Sequence, residues 1–212
     1  MIDTYRHKGM RKNMLEELRQ NGISNENVLE AMDKVPRHWF LEEAFLEMAY
    51  QNKAFPIGSE QTISHPYTVA CQSELLDIKK GEKVLEIGTG CGYQTSILFF
   101  LGAKVYSIER QKELYLKTKK MLSDLRFRAY LKYGDGYEGL PAYGPFDKII
   151  VTAGAPFVPK PLLKQLVIGG RLVIPIGEGR QIMTIIDKVS ELEFDKRELG
   201  EFAFVPMLQK KV

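Results

Sequence analysis

A short apolar run, Val84-Leu85-Glu86-Ile87, leads directly into Gly88-Thr89-Gly90-Cys91-Gly92 and from there into a helical stretch beginning at Tyr93. Glycine reaches backbone conformations closed to other residues and lets the main chain approach a ligand closely. A strand, a glycine turn and a helix in that order therefore describe a ligand cradle on an α/β sheet. Three alternating glycines after a strand also disfavour a turn that holds nothing.

Two ligand classes use such a turn: dinucleotides and adenosyl compounds. Gly88, Gly90 and Gly92 give G-x-G-x-G, whereas the dinucleotide fingerprint G-x-G-x-x-G requires glycine where this chain has Tyr93. Glu86, two residues before the first glycine, would repel a pyrophosphate and attract the sulfonium and ammonium of S-adenosyl-L-methionine. Spacing and charge both favour the adenosyl cofactor. A dinucleotide-binding oxidoreductase and a cofactor-binding module without catalysis are the competing readings from other classes.

The texture around this turn predicts the architecture. From Lys83 onward strand and helix alternate, with strands over Lys83 to Ile87, Lys104 to Ile108, Ala129 to Tyr133, Lys148 to Val151 and Arg171 to Ile176. Helices are predicted between them over Tyr93 to Leu101, Gln111 to Leu125 and Pro159 to Leu166. This alternation gives a mostly parallel sheet with helices on both faces. Gln181 to Lys188, Leu192 to Glu198 and Glu201 to Met207 read as successive strands, which would add an antiparallel edge. Before the sheet, Met10, Met14, Leu15 and Leu18 share a helical face that ends at Gly22, and Val28, Met32 and Val35 mark a second helix before Pro36. A short mixed run, Leu41 to Tyr50, precedes a turn-rich loop, Phe55 to Pro66. We read residues 1–212 as one domain, with residues 1–80 a helical addition carrying a substrate loop and residues 81–212 the cofactor-binding core.

Two further acidic turns join the glycine loop. Glu109 follows the strand ending at Ile108, near the spacing at which an acid accepts hydrogen bonds from a ribose diol. Gly134-Asp135-Gly136 follows the third strand and would present a carboxylate to an adenine amino group. Ligands of such sheets bind outside the carboxyl ends of the strands, where all three turns lie.

Composition closes off other classes. A net charge of +3 makes no case for nucleic-acid or membrane binding. Cys71 and Cys91 form no C-x-x-C pair, no His or Cys cluster has metal-ligand spacing, and no metal is expected. The polar N-terminus (Asp3, Arg6, Lys8, Arg11, Lys12) does not read as a secretory signal, and the longest apolar run, Ile97 to Leu101, is too short to span a bilayer. A cytoplasmic monomer is expected. His7 and His38 read as local packing, Trp39 and Phe40 as core, and Lys117, Lys119 and Lys120 as a solvated helix face. Ser64 beside His65 does not make a hydrolase, because neighbours in an extended segment face opposite ways and no G-x-S-x-G elbow is present.

Several segments together resemble the protein-L-isoaspartate O-methyltransferases: Val35-Pro36-Arg37 through Ala44-Phe45, Phe55-Pro56-Ile57-Gly58 through Gln61-Thr62-Ile63-Ser64 and Pro66-Tyr67, and Val84 to Tyr93. Phe146 to Val151 with Thr152 and Pro156, Gly169 to Val173, and Phe204-Val205-Pro206 extend the likeness over nearly the whole chain. The glycine motif is shared by many methyltransferases; Gln-Thr-Ile-Ser-x-Pro is far more particular. The resemblance implies a seven-stranded Rossmann-like class I methyltransferase sheet with added N-terminal helices. It implies methyl transfer from S-adenosyl-L-methionine, leaving S-adenosyl-L-homocysteine, to the free carboxyl of L-isoaspartyl and less efficiently D-aspartyl residues in damaged proteins and peptides. By position, it implies that Ser64 is the active-site serine. Thr62, Ile63, Ser64, Glu86, Gly88, Thr89, Gly90, Gly92, Glu109, Arg110, Asp135 and Gly136 would hold the cofactor, and Ile57, His65, Val205 and Pro206 would face the substrate. His65, and Ala203 in the late strand, depart from the family pattern and bear on peptide contacts.

The chemistry asks little of acid–base groups. A carboxylate acceptor, with an α-carboxyl pKa of about 3.3 to 3.7, arrives ionised at neutral pH and needs no general base. The demand is for alignment and for exclusion of water, because the reaction annihilates charge. The Phe55 to Pro66 loop and the Phe202 to Met207 segment are expected to form the cover, with Ser64 orienting the carboxylate as a hydrogen-bond donor and not as a covalent nucleophile.

Overall fold

The computed structural model describes residues 2–212. Helix α1 (Tyr5–Gln20) starts from a capping box in which the Thr4 hydroxyl accepts from the His7 amide and the His7 ring accepts from the Thr4 amide. It turns its Met14, Leu15 and Leu18 stripe inward. Helix α2 (Glu26–Lys34) is capped by the Asn25 side chain, which accepts from the amides of Asn27 and Val28. Short stretches of tight helix follow at Arg37–Phe40 and, within the mixed run, at Glu43–Met48.

The segment from Phe55 to Pro66, expected as a loop, contains a two-stranded hairpin, β1 (Phe55–Gly58) and β2 (Gln61–Ile63). Its turn places Ser59 and Glu60 both at positive φ, 51° and 56°. Such turns usually announce themselves through Asn-Gly or Asp-Gly. Ser-Glu gives no such signal. Helix α3 (Pro66–Leu76) is a second addition to the predicted elements. It is wedged between the sheet and α1 and α2, and its half-buried face, formed by Tyr67, Cys71, Glu74 and Leu75, carries a single charge, so the amphipathic stripe that betrays a surface helix is weak.

The sheet then assembles from β3 (Lys83–Ile87), β4 (Lys104–Glu109), β5 (Ala129–Tyr133), β6 (Phe146–Val151), β7 (Leu166–Ile176), β8 (Gln181–Lys188) and β9 (Phe194–Phe202), in the order β5-β4-β3-β6-β7-β8-β9. Pairings from β5 through β7 are parallel, and β8 and β9 join antiparallel. This is the mostly parallel sheet with an antiparallel edge that the alternation predicts, with the seven strands that the family resemblance implies. The connecting helices are α4 (Tyr93–Phe100), α5 (Lys112–Asp124) and a short α6 (Lys160–Lys164). Central strands are buried on both faces, with Val84, Leu85, Ile149, Ile150 and Val173 wholly inaccessible. Outermost strand β9 exposes Asp195, Lys196, Arg197, Glu198 and Glu201.

The two late strands expected at Leu192 to Glu198 and Glu201 to Met207 are one strand, β9, followed by a segment that leaves the sheet. After Phe202 the chain crosses to the end of β6, where the Gly154 amide donates to Val205 O at 2.8 Å and the Met207 amide donates to Gly154 O at 2.7 Å. Gln181 Oε1 accepts from the Phe204 amide at 2.8 Å and fixes the departure. A buried side chain on β8 thus redirects the tail toward the carboxyl ends of the parallel strands. Among the described residues, no helix is long and apolar enough to cross a membrane.

Candidate active site

Strand β3 lies between β4 and β6, so the connections leave it and β6 toward opposite edges of the sheet, and a crevice opens at its carboxyl end. The glycine loop occupies that point, with Gly88, Gly90 and Gly92 at φ of 97°, 53° and 87°. The Gly88 and Thr89 amides donate to Ile108 O at 2.9 and 3.1 Å, tying the loop to β4. A Cβ on Gly88 would stand 2.5 Å from Thr152 Oγ1, and one on Gly92 would stand 2.9 Å from Thr118 Cγ2. Gly88 is therefore needed for the approach to β6, and Gly92 for the seating of α5 against α4.

A cleft opens above these strand ends. Of the residues expected at the cofactor, Thr62, Gly88, Gly90, Glu109, Arg110 and Gly136 line it, and Val205 and Pro206 form part of its rim. Ile87, Ile108 and Met207 supply apolar walls. Glu109 is 4% exposed. Its Oε2 accepts from the Gly90 amide at 2.9 Å and its Oε1 from the Gln111 amide at 2.8 Å. Each oxygen keeps a lone pair beyond these bonds, so the carboxylate is fixed in place and can still accept from hydroxyls.

A second, smaller cavity shares Thr62, Gly88, Gly90 and Thr152 with the first and adds Ile63, Ser64, Thr89, Cys91 and Gln94. Ser64 is thus brought to the glycine loop by the hairpin and by α3, which begins two residues later. Thr152 stands where the cavities meet. Its hydroxyl is shared between Gly88 O at 2.8 Å and Ile87 O at 3.0 Å. Sequence reasoning noted Thr152 only as part of the family likeness. The rule that ligands gather at strand ends, applied to β6, would have found it.

Some expected residues lie elsewhere. Glu86 does not face either cavity. It is wholly buried, with Oε2 accepting from Thr95 Oγ1 at 2.5 Å and Ser107 Oγ at 2.6 Å. Because Ser107 spends its proton on Glu86, the Thr89 hydroxyl donates to Ser107 at 2.6 Å. Burial pushes the Glu86 carboxyl up to about 8, against the lowering effect of the two hydroxyls. The electrostatic role expected of Glu86, a carboxylate facing a cation, is replaced here by a polar network under the glycine loop. A central strand buried on both faces directs this side chain into the layer between sheet and α4. Asp135 is also held by the chain itself, with Oδ1 accepting from the Tyr137 amide at 2.9 Å and Oδ2 from the Lys210 amide at 2.7 Å. Ile57 lies behind the loop, where its Cδ1 would meet a Cβ on Gly90 at 3.3 Å. His65 is the residue before α3 and carries its first turn through the His65 O bond from the Val69 amide at 3.1 Å. Burial, and then the Arg37 cation, lower its pKa.

Outside the cleft, the fold brings together Asp3, His7 and His38, whose potential ligand atoms lie within 4.8 Å of one another. Linear spacing did not reveal this cluster. Its atoms serve packing: the His rings stack at 3.8 Å, Arg11 donates to both Asp3 oxygens at 3.1 and 2.9 Å, and Tyr50 Oη bonds His38 Nδ1 at 2.8 Å. Lys117, Lys119 and Lys120 are exposed on α5.

Comparison with known proteins points one way. The profile described as Protein-L-isoaspartate(D-aspartate) O-methyltransferase matches residues 9–212. A protein-L-isoaspartate O-methyltransferase of Christiangramia forsetii is 61% identical over the full length of both chains. A solved protein-L-isoaspartate O-methyltransferase superposes with a TM-score of 0.84 at 28% identity, covering 92% of this chain and 65% of that one. A Plasmodium falciparum structure assigned to the same enzyme class, in complex with S-adenosyl-L-homocysteine, superposes with a TM-score of 0.81 at 26% identity, covering 93% of this chain and 98% of that one. With the profile spanning the sheet, the glycine loop and the hairpin alike, this chain belongs to the protein-L-isoaspartate(D-aspartate) O-methyltransferase family.

Proposed function

We propose that this protein transfers a methyl group from S-adenosyl-L-methionine to the free carboxyl of L-isoaspartyl residues, and of D-aspartyl residues, in damaged proteins and peptides. The ester so formed collapses spontaneously to a succinimide, which hydrolyses partly to normal aspartate. The observation that carries the reading is the meeting of the Glu109-braced glycine loop with Ser64 of the hairpin at one junction of two cavities.

The residues present fit the cofactor. Glu109 offers a fixed carboxylate for a ribose diol, and Ile87, Ile108 and Met207 offer apolar walls for a nucleobase. A Cβ on Gly136 would stand 2.4 Å from Ile87 Cγ2, so a side chain there would fill the space between these walls. Gly88, Gly90, Thr62 and Thr89 would border the amino-acid end. When bound, the cofactor supplies an electrophilic methyl on a sulfonium.

The chain's own work is placement. Ser64 donates a hydrogen bond that orients the acceptor carboxylate, which is already ionised. The hairpin residues Gln61 to Ser64 and the segment Val205 to Leu208 close over the cleft and exclude water. Exclusion favours reaction because water stabilises separated charges more than a transition state in which they cancel. The second cavity beside Ser64 accepts the isoaspartyl carboxyl, and His65 and Val205 to Pro206 border the peptide. We further read the protein as one domain acting as a cytoplasmic monomer, without a nucleic-acid partner.

The test uses purified protein, labelled S-adenosyl-L-methionine and paired peptides that differ only in an aspartyl or isoaspartyl linkage. Label in the isoaspartyl peptide alone supports the reading. Equal label in both, or label in neither, overturns it.

A further inference from the structure

One buried side chain in the cavity beside Ser64 uses only part of its hydrogen-bonding capacity. Gln94, the second residue of α4, lines that cavity and is 8% exposed. Its Nε2 donates to the hydroxyl of Ser73 on α3 at 2.9 Å, which anchors the end of the side chain. Its Oε1 accepts from no group among the described residues. Buried polar atoms are nearly always paired, and an orphan calls for a cause. Two hydroxyls that also line the cavity are already spent: Thr89 donates to Ser107, and Thr152 is shared between Gly88 O and Ile87 O. The free oxygen therefore points to a donor on a ligand.

Gln94 and Ser64 belong to the part of this cavity that the cofactor cleft does not share. Under the proposed function, that part takes the acceptor carboxyl. An isoaspartyl residue carries its amide N–H and its free carboxyl on one carbon atom, because the main chain leaves through the side-chain carboxyl. In an aspartyl residue of either hand, a methylene separates the reacting carboxyl from that carbon. A donor at Ser64 and an acceptor at Gln94 suit the compact pair, and a neutral amide oxygen suits a neutral N–H. Such a site is selective, because a ligand without the matching group leaves a buried polar atom unpaired.

We infer that Gln94 determines acceptor specificity: its Oε1 takes the amide N–H on the carbon that bears the reacting carboxylate, and so favours isoaspartyl over D-aspartyl residues. This rests on the function proposed above. It gives the enzyme a means of measuring the linkage itself, since Ser64 alone meets only a carboxylate.

The experiment measures kcat/KM for the parent chain and for Gln94→Leu on three peptides: an isoaspartyl peptide, its ester analogue with oxygen in place of that one N–H, and a D-aspartyl peptide. With the parent, the ester should react roughly tenfold less well than the amide, the scale of one hydrogen bond lost from a buried site. With Gln94→Leu, the two should agree within about twofold, because the partner is already gone. The substitution should itself cost the isoaspartyl peptide roughly tenfold, and it should leave the D-aspartyl peptide and Kd for S-adenosyl-L-homocysteine within about twofold. Should Gln94→Leu unfold the protein, Ser73→Ala frees the amide from outside the cavity lining and should shrink the ester's penalty to less than about threefold. The same penalty for the ester in parent and variant overturns the inference. So does a rise of about tenfold in Kd for S-adenosyl-L-homocysteine, which would give Gln94 to the cofactor's ammonium. A parent chain that methylates no isoaspartyl peptide would instead remove the proposed function itself.

Discussion

The amide of Gly90 donates to Glu109 Oε2 at 2.9 Å, so the acid at the end of β4 braces the glycine loop at the end of β3. The same carboxylate holds the first residues before α5 through the Gln111 amide. Loop shape therefore depends on that side chain, and so, under the proposed function, does ligand recognition. Glu109→Ala should weaken S-adenosyl-L-homocysteine binding by about 1 to 3 kcal/mol, the cost of losing hydrogen bonds to a charged acceptor. Calorimetric titration checks this; an unchanged Kd removes Glu109 from the ligand site.

Ser64 sits at the mouth of the second cavity and has no part in the Glu109 brace. Ser64→Ala should lower kcat by roughly tenfold to a hundredfold, while Kd for S-adenosyl-L-homocysteine stays within about twofold. Turnover on an isoaspartyl peptide and a binding titration read the two separately. Loss of cofactor binding with the hydroxyl would mean that Ser64 serves the cofactor and not the acceptor.

Glu86 gives the fold a pH dependence with a defined sign. Its carboxyl is raised from 4.5 to about 8 by burial, so between these values the folded state holds a proton that the unfolded state has lost. Stability from this group is full below the unfolded value and declines as pH rises through the folded one, by up to about 1.4 kcal/mol per pH unit. Glu86→Gln keeps a hydrogen-bond acceptor for Thr95 and Ser107 and removes the ionisation. Thermal melts from pH 5 to 9 should show the variant gaining on the parent as pH rises. Parallel curves would contradict the assignment.

Gly88 faces Thr152 at a distance that leaves no room for a methyl group. Gly88→Ala adds the clash at 2.5 Å to a φ of 97°. The backbone strain alone is worth about 1 to 2 kcal/mol. Melting temperature and S-adenosyl-L-homocysteine affinity should both fall. A variant that melts and binds as the parent does would show that the loop has freedom the structure denies it.

Much of this molecule is written in local pattern. Ala129 to Tyr133 and Gln181 to Lys188 are strands over the same residues that periodicity marks. Glu109 could be placed at the cleft because its position relative to the glycines is set by a single βαβ unit. Glu86 was misjudged because the same unit does not say which face of a doubly covered strand a side chain takes. Helix α3 escaped notice because its half-buried face carries only one charged residue, Glu74, and gives little amphipathic contrast. The Ser59-Glu60 turn escaped because its backbone is imposed by strand pairing and not by turn residues. The bond from the Lys210 amide to Asp135 could not be read at all: the two residues meet only through tertiary structure, and neither residue type singles out the other.

The cleft draws its walls from Gln61 on one side and from Leu208 on the other. During synthesis, the glycine loop and its acidic neighbours leave the ribosome well before the segment that completes the enclosure. A nascent chain can thus fold most of its sheet while its pocket is still open to bulk solvent. The enclosure is complete only once Leu208 has been made, so a chain cut before that residue would keep the glycine loop and its acids but lack one wall of the pocket.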